Sequence, residues 1–165
     1  MKENYAEVLE GYLIPANEAY VRTLKISPEA KALFNKFGIR WSLEALCYSD
    51  LSDFAEDVYF KLGFEGLDKI TNTDLKKLHS CFYNEAEALE FFVADTPEEI
   101  ALIKKYKPVP IYANGMGDHY CLTDKLEIKE YIHDAKTYFD APYARDYKTF
   151  KEWVEKFFKP YKKDD

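Results

Sequence analysis

The chain has 165 residues, 47% of them hydrophobic and 17% aromatic, which suits one domain with a substantial core and argues against a disordered chain. Thirty acids against 23 bases leave a formal charge of −7, which disfavours nucleic acid and makes a basic protein a better partner than an anionic ligand. No apolar run approaches the roughly 20 residues that cross a bilayer, and the start Met1-Lys2-Glu3-Asn4-Tyr5 has no signal-like apolar stretch, so no membrane contact and a cytoplasmic location are expected.

Taken in order, residues 1–26 lean towards helix, with Tyr5, Val8, Leu9, Tyr12 and Leu13 at helical spacing before Pro15. Ser27-Pro28-Glu29 is a start signal and Phe37-Gly38 a stop, so the spacing predicts a helix over about Pro28 to Phe37. Leu51, Phe54, Ala55, Val58, Tyr59 and Leu62 form the clearest apolar stripe, ended by Gly63. From Trp41 to Asp68 there are seven acids (Glu44, Asp50, Asp53, Glu56, Asp57, Glu65, Asp68) and one base, Lys61. Such a run is either a solvated face with acids at a helix N-terminus or a docking surface for a cationic protein.

After Thr71-Asn72-Thr73-Asp74, a helical stripe of Leu75, Leu78, Phe82, Ala86 and Leu89 follows, with a break expected within His79 to Asn84, and Leu89 to Ala94 reads as strand. Thr96-Pro97-Glu98-Glu99 matches a capping box and opens a short helix through Ile103. Val109 to Ala113 and His119 to Thr123 flank the turn formers Asn114-Gly115-Met116-Gly117-Asp118, which predicts a β-hairpin. Alternation over Leu126 to His133 predicts a third antiparallel strand with one buried face. Beyond an irregular loop, Asp146 is expected to cap a last helix carrying Tyr147, Phe150, Trp153, Val154, Phe157 and Phe158, stopped by Pro160.

The chemistry-bearing residues are few. Cys47, Cys81 and Cys121 are odd in number and widely spaced, which argues against a disulfide framework or a zinc ribbon. His119 and Cys121, beside Asp118, are the strongest enzyme candidates, but residues two apart on a strand have Cα atoms about 6.5 to 7 Å apart, loose for a thiolate–imidazole pair. The three histidines have no metal-ligand spacing, and Gly115-x-Gly117 leads into a strand where a phosphate loop would lead into a helix, so neither metal nor cofactor is expected. Tyr112, Tyr120, Tyr131, Tyr138 and Tyr143 are candidates for lining a groove beside the hairpin, which would suit a small-ligand or peptide-binding regulatory module.

The succession of Leu89-Glu90-Phe91-Phe92, Thr96-Pro97-Glu98-Glu99-Ile100, Val109-Pro110-Ile111, Asn114 to Asp118 and Tyr120-Cys121-Leu122-Thr123-Asp124, closed by Phe150-x-x-Trp153-Val154, resembles the SUKH (SMI1/KNR4) superfamily over residues 89–158, with Thr123 inserted in its Y-C-L-D-like strand. The resemblance implies a single-domain α+β fold with a mainly antiparallel sheet and flanking helices. It also implies a binding protein rather than an enzyme, in many bacterial members an immunity protein that neutralises a toxin domain, often a nuclease. Two candidate contact faces follow for a basic toxin: Asp50, Asp53, Glu56 and Asp57, and the hairpin residues Asn114, Gly115, Gly117, Asp118 and Tyr120.

Overall fold

Side-chain caps open four of the described helices. The computed structural model describes residues 28–37, 48–135 and 137–159. The helical segment expected within residues 1–26, the Ser27 cap, Cys47 and the Pro160 stop lie outside those residues. Helix α1 spans Pro28–Phe37, as predicted. A 3-10 turn, Tyr48–Asp53, leads into α2, Phe54–Asp68. The predicted stop at Gly63 is a kink, with φ 73° and ψ −170°, after which the helix resumes and buries Gly66 and Leu67. The apolar stripe therefore does not run through it, and Leu62, expected inside, is exposed.

Helix α3, Asn72–Phe82, opens with a complete capping box. The Thr71 hydroxyl accepts the Asp74 N–H at 3.1 Å, and the Asp74 carboxylate accepts the Thr71 N–H at 2.9 Å. Asp74 also receives the Lys36 ammonium at 2.8 Å, which ties α1 to α3. Burial alone would raise the Asp74 pKa, but Lys36 and Thr71 outweigh it and hold the carboxyl below its ordinary range. The expected break falls at Tyr83, and Asn84 then caps α4, Glu85–Phe91, by accepting the Glu87 N–H at 3.0 Å.

Leu89 to Ala94, read from sequence as strand, is instead the end of α4 and the turn after it. The Ala94 N–H bonds back to the Leu89 carbonyl at 2.9 Å and the Val93 N–H to that of Glu90 at 3.2 Å, a Schellman ending. Its left-handed position is filled by Val93, at φ 51°, where glycine is usual. Helix α5, Pro97–Tyr106, has the predicted Thr96/Glu99 capping box. It stops at Lys107, whose carbonyl accepts the His79 Nε2–H at 2.7 Å.

Three strands follow: β1 (Val109–Ala113), β2 (His119–Leu122) and β3 (Ile128–Tyr131), antiparallel in the order β1-β2-β3. The fold is α+β, and no described helix is long and apolar enough to cross a membrane. Pairing of Tyr120 with Tyr112 and Glu130, and of His119 with Ala113 and Tyr131, assigns each residue to a face. One face carries Tyr112 and Tyr120 against Trp153, Phe157 and Phe158 of the C-terminal helix. The other carries His119 and Tyr131 against Phe92, and Tyr131 also meets Phe139. The sheet is thus covered on both sides, which corrects the expectation that β3 buries one face: Ile128, Glu130, Tyr131 and Ile132 are all buried.

Helix α6, Phe150–Trp153, continues as a π-type turn, Val154–Phe158. Thr149 caps it, accepting the Glu152 N–H at 3.0 Å, so the expected Asp146 cap is corrected. Asp146 instead accepts the Glu130 N–H at 3.1 Å and the Lys129 ammonium at 2.9 Å. Tyr147 is likewise outside the helix, bridged to Ile128. Trp153 at 0% exposure is the largest fully buried side chain among the described residues, and large-to-small changes at such a site cost about 3–5 kcal/mol.

Candidate functional site

The hairpin turn is built by its residue types. Asn114 Oδ1 accepts the Met116 N–H at 2.9 Å, and the Asn114 N–H reaches the Asp118 carbonyl at 3.1 Å. Gly115 and Gly117 take φ of 82° and 92°, which an L side chain rarely adopts. Gly115 faces open space, whereas a Cβ on Gly117 would lie 3.0 Å from His133 Nδ1. The tip thus rests on the imidazole that follows β3, while Met116 stands 77% exposed above it.

Asp118 and His133 pair at this end of the sheet. One oxygen of Asp118, Oδ1, accepts both the His133 N–H at 2.9 Å and Nδ1 at 2.6 Å. The other ring nitrogen, Nε2, faces Asp134 Oδ1 at 3.1 Å. The hydrogen bond that His133 donates to Asp118 raises the His133 pKa, and Asp134 adds to the effect. For Asp118, burial pushes upward, but the His133 amide and ring prevail and hold the carboxyl low.

His119 lies beneath, with its ring against Phe91 at 5.1 Å and Phe92 at 6.4 Å. Its Nδ1 is buried without a hydrogen-bond partner in the structure. Burial lowers its pKa, opposed by the Gly117 carbonyl and by the charges of Asp118 and Asp53. The Asp53 effect brings together residues that are far apart in the chain. The Tyr48–Asp53 turn packs along β1, its Tyr48 hydroxyl donating to the Pro108 carbonyl, and leaves Asp53 near enough to His119 for its charge to be felt there.

Of the sequence-predicted contact residues, Asp53 is exposed and Glu56 and Asp57 are half-buried in the first turn of α2, while Asp50 lies in the preceding 3-10 turn. Asn114, Gly115 and Gly117 are exposed at the tip, and Asp118 is half-buried in its pair with His133. Tyr120 is corrected: at 2% exposure, with its ring among Tyr112, Tyr147, Trp153 and Phe157, it is core. The tyrosine-lined groove fails for the same reason. Tyr120 and Tyr131 are buried, Tyr112 and Tyr138 pack half-buried onto the core, and Tyr143 is the exposed one of the five.

Cys121 is fully buried, and burial pushes its thiol pKa well above the ordinary value. It shares a sheet face with His119, but a thiol held protonated under that face supplies no nucleophile. Among the described residues, no three His, Cys, Asp or Glu side chains are grouped so as to hold a metal ion. Sequence reasoning missed His133, which it left at the end of a strand. Its one signal was Asp134 beside it, and the partner that matters, Asp118, is 15 residues away. No family model, curated protein or solved structure matches the chain.

Proposed function

We propose that this is a binding protein that docks a basic protein partner through the hairpin end of its sheet and the adjoining first turn of α2. The observation that carries the reading is that the Tyr48–Asp53 turn lies along β1 with the exposed Asp53 close enough to His119 for its charge to act there, so acids from two segments that the sequence separates stand at the hairpin end of the sheet. A net charge of −7 supports it, because opposite charge speeds encounter and discriminates among partners. Following its resemblance to the SUKH superfamily, we assign the partner to the class of toxin domains, nucleases among them. Neutralisation is then by stoichiometric occlusion in the cytoplasm, with no chemical step and no cofactor.

The test is growth of cells expressing the toxic domain encoded beside this gene, with and without the protein, followed by association kinetics with the purified domain. Protection and a rate that falls with salt are expected. Asp53→Lys with Glu56→Lys should slow association by about tenfold or more at low salt. Absence of binding or protection would overturn the function, while binding with unaltered kinetics in the double variant would remove this face from it.

A further inference from the structure

The two nitrogens of His133 each face a carboxylate, Asp118 Oδ1 at 2.6 Å and Asp134 Oδ1 at 3.1 Å. An ionised carboxylate only accepts hydrogen bonds, and a neutral imidazole has a single N–H. A neutral ring can therefore satisfy one of these contacts and must turn a lone pair towards the other. Only the imidazolium donates to both. The backbone N–H of His133 adds a third bond, to the same Asp118 oxygen at 2.9 Å.

These contacts hold more than a side chain. Asp118 ends the turn, and its carbonyl accepts the Asn114 N–H. Gly117 lies against the ring so closely that no Cβ fits at van der Waals distance. The imidazole thus joins the chain leaving β3 to the tip of the β1–β2 hairpin. We propose that Asp118 and His133 form a proton-operated latch that fixes the hairpin tip to the end of β3 when His133 is charged and loosens it when the ring is neutral.

The titratable groups that act on the latch are Asp118 at the entry to β2 and Asp134 on the loop after β3, with His119, which feels the charges of Asp118, His133 and Asp53, beside them. Their signs give a window. The His133 pKa is raised in the folded protein, so its contribution is complete below the ordinary histidine range and is lost as pH rises through the raised value. That of Asp118 is lowered, so its contribution is complete above the ordinary carboxylate range and is lost as pH falls through the lowered value. Asp134, 83% exposed on its side chain, is the weaker jaw. The latch stands independently of what the protein binds.

The test is an NMR titration of the histidine rings in the full chain, with amide-exchange protection of residues 114–118 measured across the same pH range and the intrinsic rate divided out. His133 should titrate above ordinary histidine, and tip protection should fall as it deprotonates. Asp118→Asn, which keeps an acceptor but no charge, should weaken proton binding at His133 by about tenfold. His133→Gln, which keeps a donor but cannot titrate, should make tip protection independent of pH over that range. An unmoved His133 titration in Asp118→Asn, or a pH-dependent tip in His133→Gln, would overturn the proposal.

Discussion

Gly117 shows how much one residue can decide. Its φ of 92° and its approach to the His133 ring are separate reasons for having no side chain, the first arising within the turn and the second across the sheet. Gly117→Ala should therefore destabilise the fold by on the order of 1–3 kcal/mol, read as a shift in the urea midpoint, whereas Gly115→Ala, with open space around it, should suffer the backbone cost alone. The turn itself was legible, because Asn and Gly are the residues that permit it. The closeness of Gly117 to His133 was not, since it depends on a strand register that brings residues 16 apart into contact. Tyr120 was misread at the same scale: alternation assigns residues to faces but does not say that both faces are covered.

Among the elements, caps were the most readable features. Thr96 and Glu99 close the capping box their spacing predicts, and Thr71 closes another with Asp74. Endings were harder. Helix α4 stops without glycine, and the apolar, aromatic Leu89 to Ala94 consequently looks like strand. Val93 is a β-branched residue in the left-handed region and is 67% exposed, so its side chain gains little from burial to offset the backbone cost. Val93→Gly is expected to raise stability by about 1 kcal/mol, seen as a higher urea midpoint with an unchanged slope. A lower midpoint would mean that the valine makes contacts that outweigh its conformation. Asp146 was misassigned because its partners, Lys129 and the Glu130 N–H, lie on another element, so that local spacing favoured a cap which Thr149 provides.

Across the whole molecule, periodicity and caps made most of the described helices and the three strands legible, since apolar spacing is a local property, whereas the α+β class is what the resemblance implies and the end of α4 reads as strand. The two-sided sheet could not be read, because the segments covering it, the end of α4 and the Tyr138–Asp140 turn on one face and the C-terminal helix on the other, meet the strands only in three dimensions. That double cover seals Cys121, and native protein should leave Cys121 unmodified by iodoacetamide until denaturant unfolds the chain; labelling faster than unfolding would place the thiol in a locally opening segment. The Tyr147 bridge has a further consequence. Ile128 gives its N–H to the Tyr147 carbonyl at 2.9 Å and accepts the Tyr147 N–H at 2.8 Å, and the Glu130 N–H is taken by Asp146. Those bonds run along the outer margin of β3, where an open strand would offer a template to any extended peptide or to another copy of the same sheet. With that margin occupied by the chain itself, β3 is closed both to recognition by strand addition and to edge-to-edge aggregation.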